Sequence, residues 1–303
     1  MNPTLKGILL AFIATLGMAN VYVFSKAALG EVNYYQFQFY WFSFAMIWIL
    51  PFLVFTGMIR RIPKLTRSSN ITLVIIGLLE LGAASFLFLA IEKAENPTTI
   101  SFLSNLTPIF VTLLGIRFLG ERFNQVEAIG IILTIGGVIL ISYTRDTTIR
   151  VFFSGGSGWI LLSSVLSSIS IVTAKSRIMN IHPGILTLNR VIFLLSFATA
   201  SMLIRSESFR VSSTAMLNMA IGSLLGPFLT GLAQYSALRY IEASRTMIIQ
   251  STRSLFVLAG SMIYLSLQPE SLQIIGGLIT IAGVIVLTWG KMRHKKKLPV
   301  PPA

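Results

Sequence analysis

Ile129-Gly130-Ile131-Ile132-Leu133-Thr134-Ile135-Gly136-Gly137-Val138-Ile139 returns 146 positions later as Ile275-Gly276-Gly277-Leu278-Ile279-Thr280-Ile281-Ala282-Gly283-Val284-Ile285. Seven of the eleven positions agree without a gap, glycines included, and the same shift carries Phe110-Val111 onto Phe256-Val257. Apolar stretches match by chance more readily than mixed ones, but agreement of this length that keeps the glycines in register indicates an internal duplication.

Composition says what was duplicated. The 303 residues are 54% hydrophobic and 11% charged, with a mean hydropathy of +0.80, whereas soluble domains carry about 25% charge. The apolar residues fall in blocks of about 20, the length that crosses a bilayer core. Punctuation by charge, glycine and proline divides them into ten spans, roughly 5–28, 35–57, 70–91, 97–119, 125–143, 157–178, 183–204, 214–238, 243–267 and 271–290. Each copy then holds an odd number of spans, so the second enters the membrane the other way up. The predicted fold is an all-α integral membrane protein of ten transmembrane helices in two inverted five-helix repeats, an architecture whose substrate sites lie at the repeat interface near mid-membrane. Residues 1–146 form the first repeat, 147–158 a Gly/Ser-rich linker, 159–290 the second repeat and 291–303 a basic tail.

Lysine and arginine set the orientation. With the N-terminus inside, sixteen lie on inner segments, among them Arg60, Arg61, Lys64 and Arg67 and the run Lys291–Lys297, against six on outer segments. Both termini are therefore expected in the cytoplasm, with the chain in the plasma (inner) membrane. The net charge of +14 is largely this bias, with a tail suited to anionic lipid headgroups, and does not point to nucleic acid. No cysteine is present, and two histidines (His182, His294) with one aspartate (Asp146) leave no basis for a metal site or cofactor.

The chain resembles the EamA-like branch of the drug/metabolite transporter superfamily. The resemblance rests on the ten-span plan, on Asn105-Leu106-Thr107-Pro108-Ile109-Phe110, and on Leu119-Gly120-Glu121-Arg122 followed by Gly130 and Gly136-Gly137-Val138. The second half departs from the pattern, with Ser254 where the matching proline would stand and Leu267-Gln268-Pro269-Glu270 replacing the Leu-Gly-Glu-Arg turn. The resemblance implies an exporter of metabolites with a central cavity lined by spans one, three, four, six, eight and nine, spans five and ten packing at the periphery.

A charge deep in the bilayer costs about 2.5–3.5 kcal/mol even on the milder scales, so each one needs a reason. Glu80 and Arg253 both lie about 15 Å into their spans, near the middle of a core about 30 Å thick. Two readings follow: a buried ion pair locking two helices, or a hydrated cavity in which both bind polar substrate groups, Glu80 also being a candidate proton carrier. Arg190 lies shallower and reads as structural, snorkelling to the cytoplasmic interface or bonding the end of a neighbouring helix. Helical spacing puts Asn218, Gly222, Gly226, Thr230 and Gln234 on one face, Ser101, Asn105, Pro108 and Thr112 on another, and Thr246, Gln250 and Arg253 on a third. Asn105, Gln234 and Gln250 are the cavity candidates among the amides. Pro108 and Gly226-Pro227 are expected to kink their spans at a gate. The serines of span six and the glycines of spans five and ten read as helix packing. Trp41 reads as an interface anchor or a cover for the outer cavity mouth.

No P-loop, aspartate pair or Ser–His arrangement supports an intramembrane enzyme. The expected activity is secondary transport, as an exporter, of a small polar or zwitterionic metabolite such as an amino acid, with lipid translocation as the alternative. Membrane lipids are the other expected contacts, and a homodimer is compatible with the sequence.

Overall fold

The computed structural model describes residues 2–93, 100, 101, 103–142, 157–265 and 271–297. The interior of the linker and the Leu267–Glu270 turn lie outside the described residues. Every element among the described residues is helical: α1 (Pro3–Leu29), α2 (Tyr34–Phe55), α3 (Arg67–Lys93), α4 (Leu106–Leu119), α5 (Gln125–Ser142), α6 (Ser157–Arg177), α7 (Pro183–Ile204), α8 (Ser213–Ala237), α9 in two segments (Ala243–Ser251 and Arg253–Leu265) and α10 (Ser271–Lys297). A tight 3₁₀ turn, Met58–Lys64, joins α2 to α3. Six helices (α1, α2, α3, α6, α7 and α8) are long and apolar enough to cross a membrane, and Leu106–Leu119, Gln125–Gly137 and Ile274–Gly290 are shorter apolar helices.

Local chemistry starts these helices where they start. Asn33 accepts from Tyr35 N and Gln36 N, and the Gln36 side chain accepts from Asn33 N, a reciprocal cap at the head of α2. At the head of α7 His182 takes that place, its Nδ1 accepting from Gly184 N, with Pro183 in the first helical position. The imidazole at the position matching Asn33 is thus a helix cap.

The duplication is visible in the element register. α2 and α7 are each 22 residues long and begin 149 positions apart, while α3 and α8 begin 146 apart. α5 and α10 pack against each other, and the repeated stretch is their contact. A Cβ on Gly137 would lie 2.5 Å from Thr280 N, and one on Gly283 would collide with Thr134 N, the same contact seen from the other copy. Glycine is needed there because the two backbones touch. Their outer faces carry exposed Ile132, Leu278 and Ile285, as expected of a lipid-facing pair at the periphery.

Two apolar clusters divide the interior of the remaining bundle. One gathers Tyr22, Phe37, Trp41, Phe42, Phe88 and Ile100 where α1 and α3 end. The other gathers Ile76, Ile171, Ile178, Leu186, Tyr235 and Met247 where α6 and α8 end.

A polar cavity between two apolar seals

Between these clusters lies a cavity of about 60 Å³ bounded by α1, α3, α4, α6, α7, α8 and α9. Its charged and amide lining is Glu80, Arg190, Arg253, Gln234 and Gln250, with the hydroxyls of Ser104, Ser163 and Ser167. Glu80, Arg253, Gln234 and Gln250, singled out from the sequence, therefore share one space. Asn105 is not among the lining residues. Its Nδ2 donates to Ser254 Oγ at 2.7 Å, so the amide bonds α4 to α9 behind the cavity wall.

Glu80 and Arg253 do not pair. Glu80, 3% exposed, holds Arg190, whose Nε lies 3.2 Å from Glu80 Oε2. Its other oxygen accepts from Ser170 Oγ at 2.7 Å and Tyr235 OH at 3.4 Å. Of the roles expected for Arg190, snorkelling is replaced by an ion pair. A lone arginine at its depth would snorkel, but a carboxylate one helix away offers a partner within reach, and the side chain turns inward. The span-six serines bond across helices, Ser163 Oγ to Ala83 O of α3 at 2.7 Å and Ser168 Oγ to Thr107 O of α4 at 3.4 Å, while Ser163 and Ser167 also line the cavity and Ser170 donates to Glu80.

Arg253 is held by a broken helix. Pro108 is the third residue of α4, in a first turn whose N–H groups have no intrahelical acceptor in any case. Its effect falls four residues back: lacking an N–H, it gives the Ser104 carbonyl no donor, and Thr107 N takes that carbonyl at 3.1 Å in a tighter turn, with room left for a second donor. Arg253 Nη2 takes that carbonyl at 2.9 Å and Ser104 Oγ at 2.7 Å, and Tyr22 OH donates to the same Oγ at 2.8 Å. The expected mid-span kink at Pro108 is thus a break before it, at Ser104-Asn105. α9 breaks at Thr252, close to the position matched by the repeat, without a proline. There Ser251 Oγ and Thr252 Oγ1 donate to the carbonyls of Ile248 and Ile249 at 2.6 and 2.8 Å, and hydroxyls that bond backward open a helical turn.

Much of the stripe expected on α8 packs on α1 rather than lining the cavity. Leu224–Thr230 forms a wide π turn containing Gly226 and Pro227, and Thr230 Oγ1 reaches Leu225 O at 2.9 Å. Across this turn the stripe still meets α1: a Cβ on Gly222 would meet Phe24, one on Gly226 would meet Val21, and one on Gly17 would meet Thr230 Oγ1. Gln234 reaches the cavity, while Asn218 accepts from Tyr264 OH at 2.6 Å and Gly222 and Gly226 face Trp41. Trp41 is fully buried rather than interfacial, its ring 4.9 Å from that of Phe37. In the repeat register Trp41 matches Arg190 and Gly226 matches Glu80, so one crossing carries an ion pair where its counterpart carries an indole laid over glycine.

Each end of the cavity has a lysine clasp. Lys175, near the end of α6, donates to Leu238 O at 2.6 Å and Ile241 O at 2.8 Å, past the end of α8. Lys26, its counterpart near the end of α1, reaches Ile91 O and Glu92 O of α3, both at 3.4 Å. A cation on terminal carbonyls also meets the negative end of the helix dipole.

The Lys175 end has a further tie that the sequence signalled only as a motif. Gly120 takes φ +65°, left-handed, closing α4, and turns Glu121 back toward α9. The Glu121 carboxylate accepts from Ala243 N at 2.7 Å, Ser244 N at 3.1 Å and Ser244 Oγ, capping α9 from the other half of the chain. Buried Arg245 meets Glu127 Oε1 at 2.6 Å. These groups were legible as charges but not as partners, because their separations exceed 110 residues.

The sequence pattern of the EamA-like transporter family matches residues 5–143 and again 154–289. The chain belongs to the EamA-like transporter family. A WAT1-related protein of Arabidopsis thaliana is 24% identical over 85% of this chain and 80% of its own length. An uncharacterized transporter of Archaeoglobus fulgidus is 26% identical over 92% of this chain and 96% of its own. One crystal structure shares the fold at a TM-score of 0.72, with 16% identity, over 95% of this chain and 98% of its own. The EamA chain is therefore a multi-pass membrane protein of a transporter family.

Proposed function

We propose that this EamA protein is a secondary transporter, acting as an exporter, that moves a small polar metabolite through the central cavity by alternating access. The observation that carries the proposal is the cavity itself: a space lined by one carboxylate, two guanidinium groups and two amides, set between two apolar seals. Its walls come from both halves of the chain, and the two match patterns of the family model support reading 1–146 and 159–290 as repeats that rock about it. In this reading ten spans cross the plasma membrane with both termini in the cytoplasm, and the Lys175 end is the cytoplasmic gate. Glu80, Arg253, Gln234 and Gln250 are the substrate-facing set, to which Arg190 is added. The Ser104-Asn105 break before Pro108 and the Gly226-Pro227 turn are the flexible points. An ion gradient, protons included, or the substrate's own gradient drives the cycle.

The test compares metabolites released by cells expressing the wild type and Arg253→Gln at equal membrane abundance. A compound that the wild type exports and the variant retains supports the proposal. Identical profiles for wild type, variant and empty cells would refute it.

A further inference from the structure

We infer that the group recognised in the cavity is an anion, a small monocarboxylate, held by Arg253 and Gln250. The inference rests on the transport reading of the cavity and goes beyond it by naming the charge. One carboxylate against two guanidinium groups leaves one positive charge in excess among the lining residues. Glu80 is already engaged on both oxygens by Arg190, Ser170 and Tyr235. An incoming ammonium would have to compete with Arg190 for it, so the amine of a zwitterion finds no matched partner.

The excess charge sits on Arg253, which is 4% exposed and in no ion pair among the described residues. Its Nη2 is spent on Ser104, while its Nε has no hydrogen-bond partner. Gln250, one turn earlier on α9 and 2% exposed, likewise has an unpartnered Nε2. A guanidinium carries donors only, so what completes it is an acceptor. Buried donors left unmade are costly, and a charge-assisted bond to a carboxylate relieves both the desolvation and the unbalanced charge. A cavity of about 60 Å³ takes four to six water-sized groups at about 10–15 Å³ each, which fits a molecule of about six non-hydrogen atoms.

The experiment measures the thermal unfolding temperature of the purified full chain in detergent micelles against rising concentrations of acetate, lactate, glycine, glycinamide, ethylamine and acetamide. Sodium chloride at matched ionic strength is the control. Acetate and lactate are expected to stabilise saturably, glycine less than lactate, and the amines and acetamide not at all. Arg253→Gln and Gln250→Leu should each weaken the lactate midpoint by about tenfold or more, while Ile132→Ala, on the exposed outer face of α5, should leave it within about twofold. If Arg253→Gln does not fold, Gln250→Leu carries the test, since it leaves the Ser104 contacts in place. Stabilisation by the amines in preference to carboxylates, or equally by chloride, overturns the carboxylate assignment and leaves the cavity a transport site. Stabilisation by no charge class overturns both.

Discussion

Neutralising Glu80 and Arg190, singly and together, tests whether this pair is the internal counter-charge that the structure describes. Arg190→Gln leaves Glu80, with a side chain 4% exposed, supported only by the hydroxyls of Ser170 and Tyr235. Breaking a buried pair from one side costs about 3–5 kcal/mol, because the remaining charge is stranded. Glu80→Gln strands a different group. The Arg190 side chain is 19% exposed and borders the cavity, where water can solvate it, so the loss should be smaller, about 1–2 kcal/mol. The double change removes both charges and leaves amides that can bond each other and the same hydroxyls, so it should fall within about 1 kcal/mol of wild type. The four proteins thus define a cycle with a coupling of about 3–7 kcal/mol and a fixed order of stability. The assay is unfolding of the purified chain in detergent micelles, by heat and by denaturant. Additive losses, or an Arg190→Gln protein as stable as wild type, would show that Glu80 does not depend on Arg190.

The remaining predictions concern the gates, the frame and the topology. Lys175→Met removes a clasp at 2.6 and 2.8 Å, and should speed reactivity of a cysteine introduced at Gln234 toward a cytoplasmic thiol reagent while Lys26→Met does not; equal reactivity in both would discard the clasp as a gate element. Pro108→Ala supplies an N–H that competes with Arg253 for the Ser104 carbonyl, so export should fall at unchanged membrane abundance, and unaltered export would reduce the proline to static shape. Glu121→Gln weakens a cap on α9 and should destabilise the chain by about 0.5–2 kcal/mol, read as a lower melting temperature. Gly137→Leu, which sets a side chain against the Thr280 backbone, should lower the yield of folded protein, and a normal yield would mean that α5 and α10 can separate. Because the chain has no cysteine, single cysteines placed in 145–156 should label with an impermeant reagent in intact cells and those in 60–67 and 291–297 should not; the reverse pattern would invert the orientation.

The sequence by itself determined the properties that depend on period and composition. Apolar blocks of bilayer length, the 146-residue repeat and the lysine and arginine asymmetry are one-dimensional signals, and they yielded helices, duplication and a family resemblance. Depth along a span is also nearly one-dimensional, since each residue adds about 1.5 Å, which is why Glu80 and Arg253 could be assigned to a common level. What faces what was decided only in three dimensions. Even spacing on α8 put Gly222, Gly226 and Thr230 on one face, but that face packs on α1, and of the stripe only Gln234 lines the cavity. Choice of partner depends on helices far apart in the chain: Glu80 took Arg190 from α7 rather than Arg253 at its own depth, and Asn105 spent its amide on Ser254. Pro108 likewise withholds one donor from the Ser104 carbonyl: Thr107 N supplies one locally, and Arg253 on α9 is the side chain that joins it. A sequence records that a donor is missing; only the packed bundle decides which group arrives in its place.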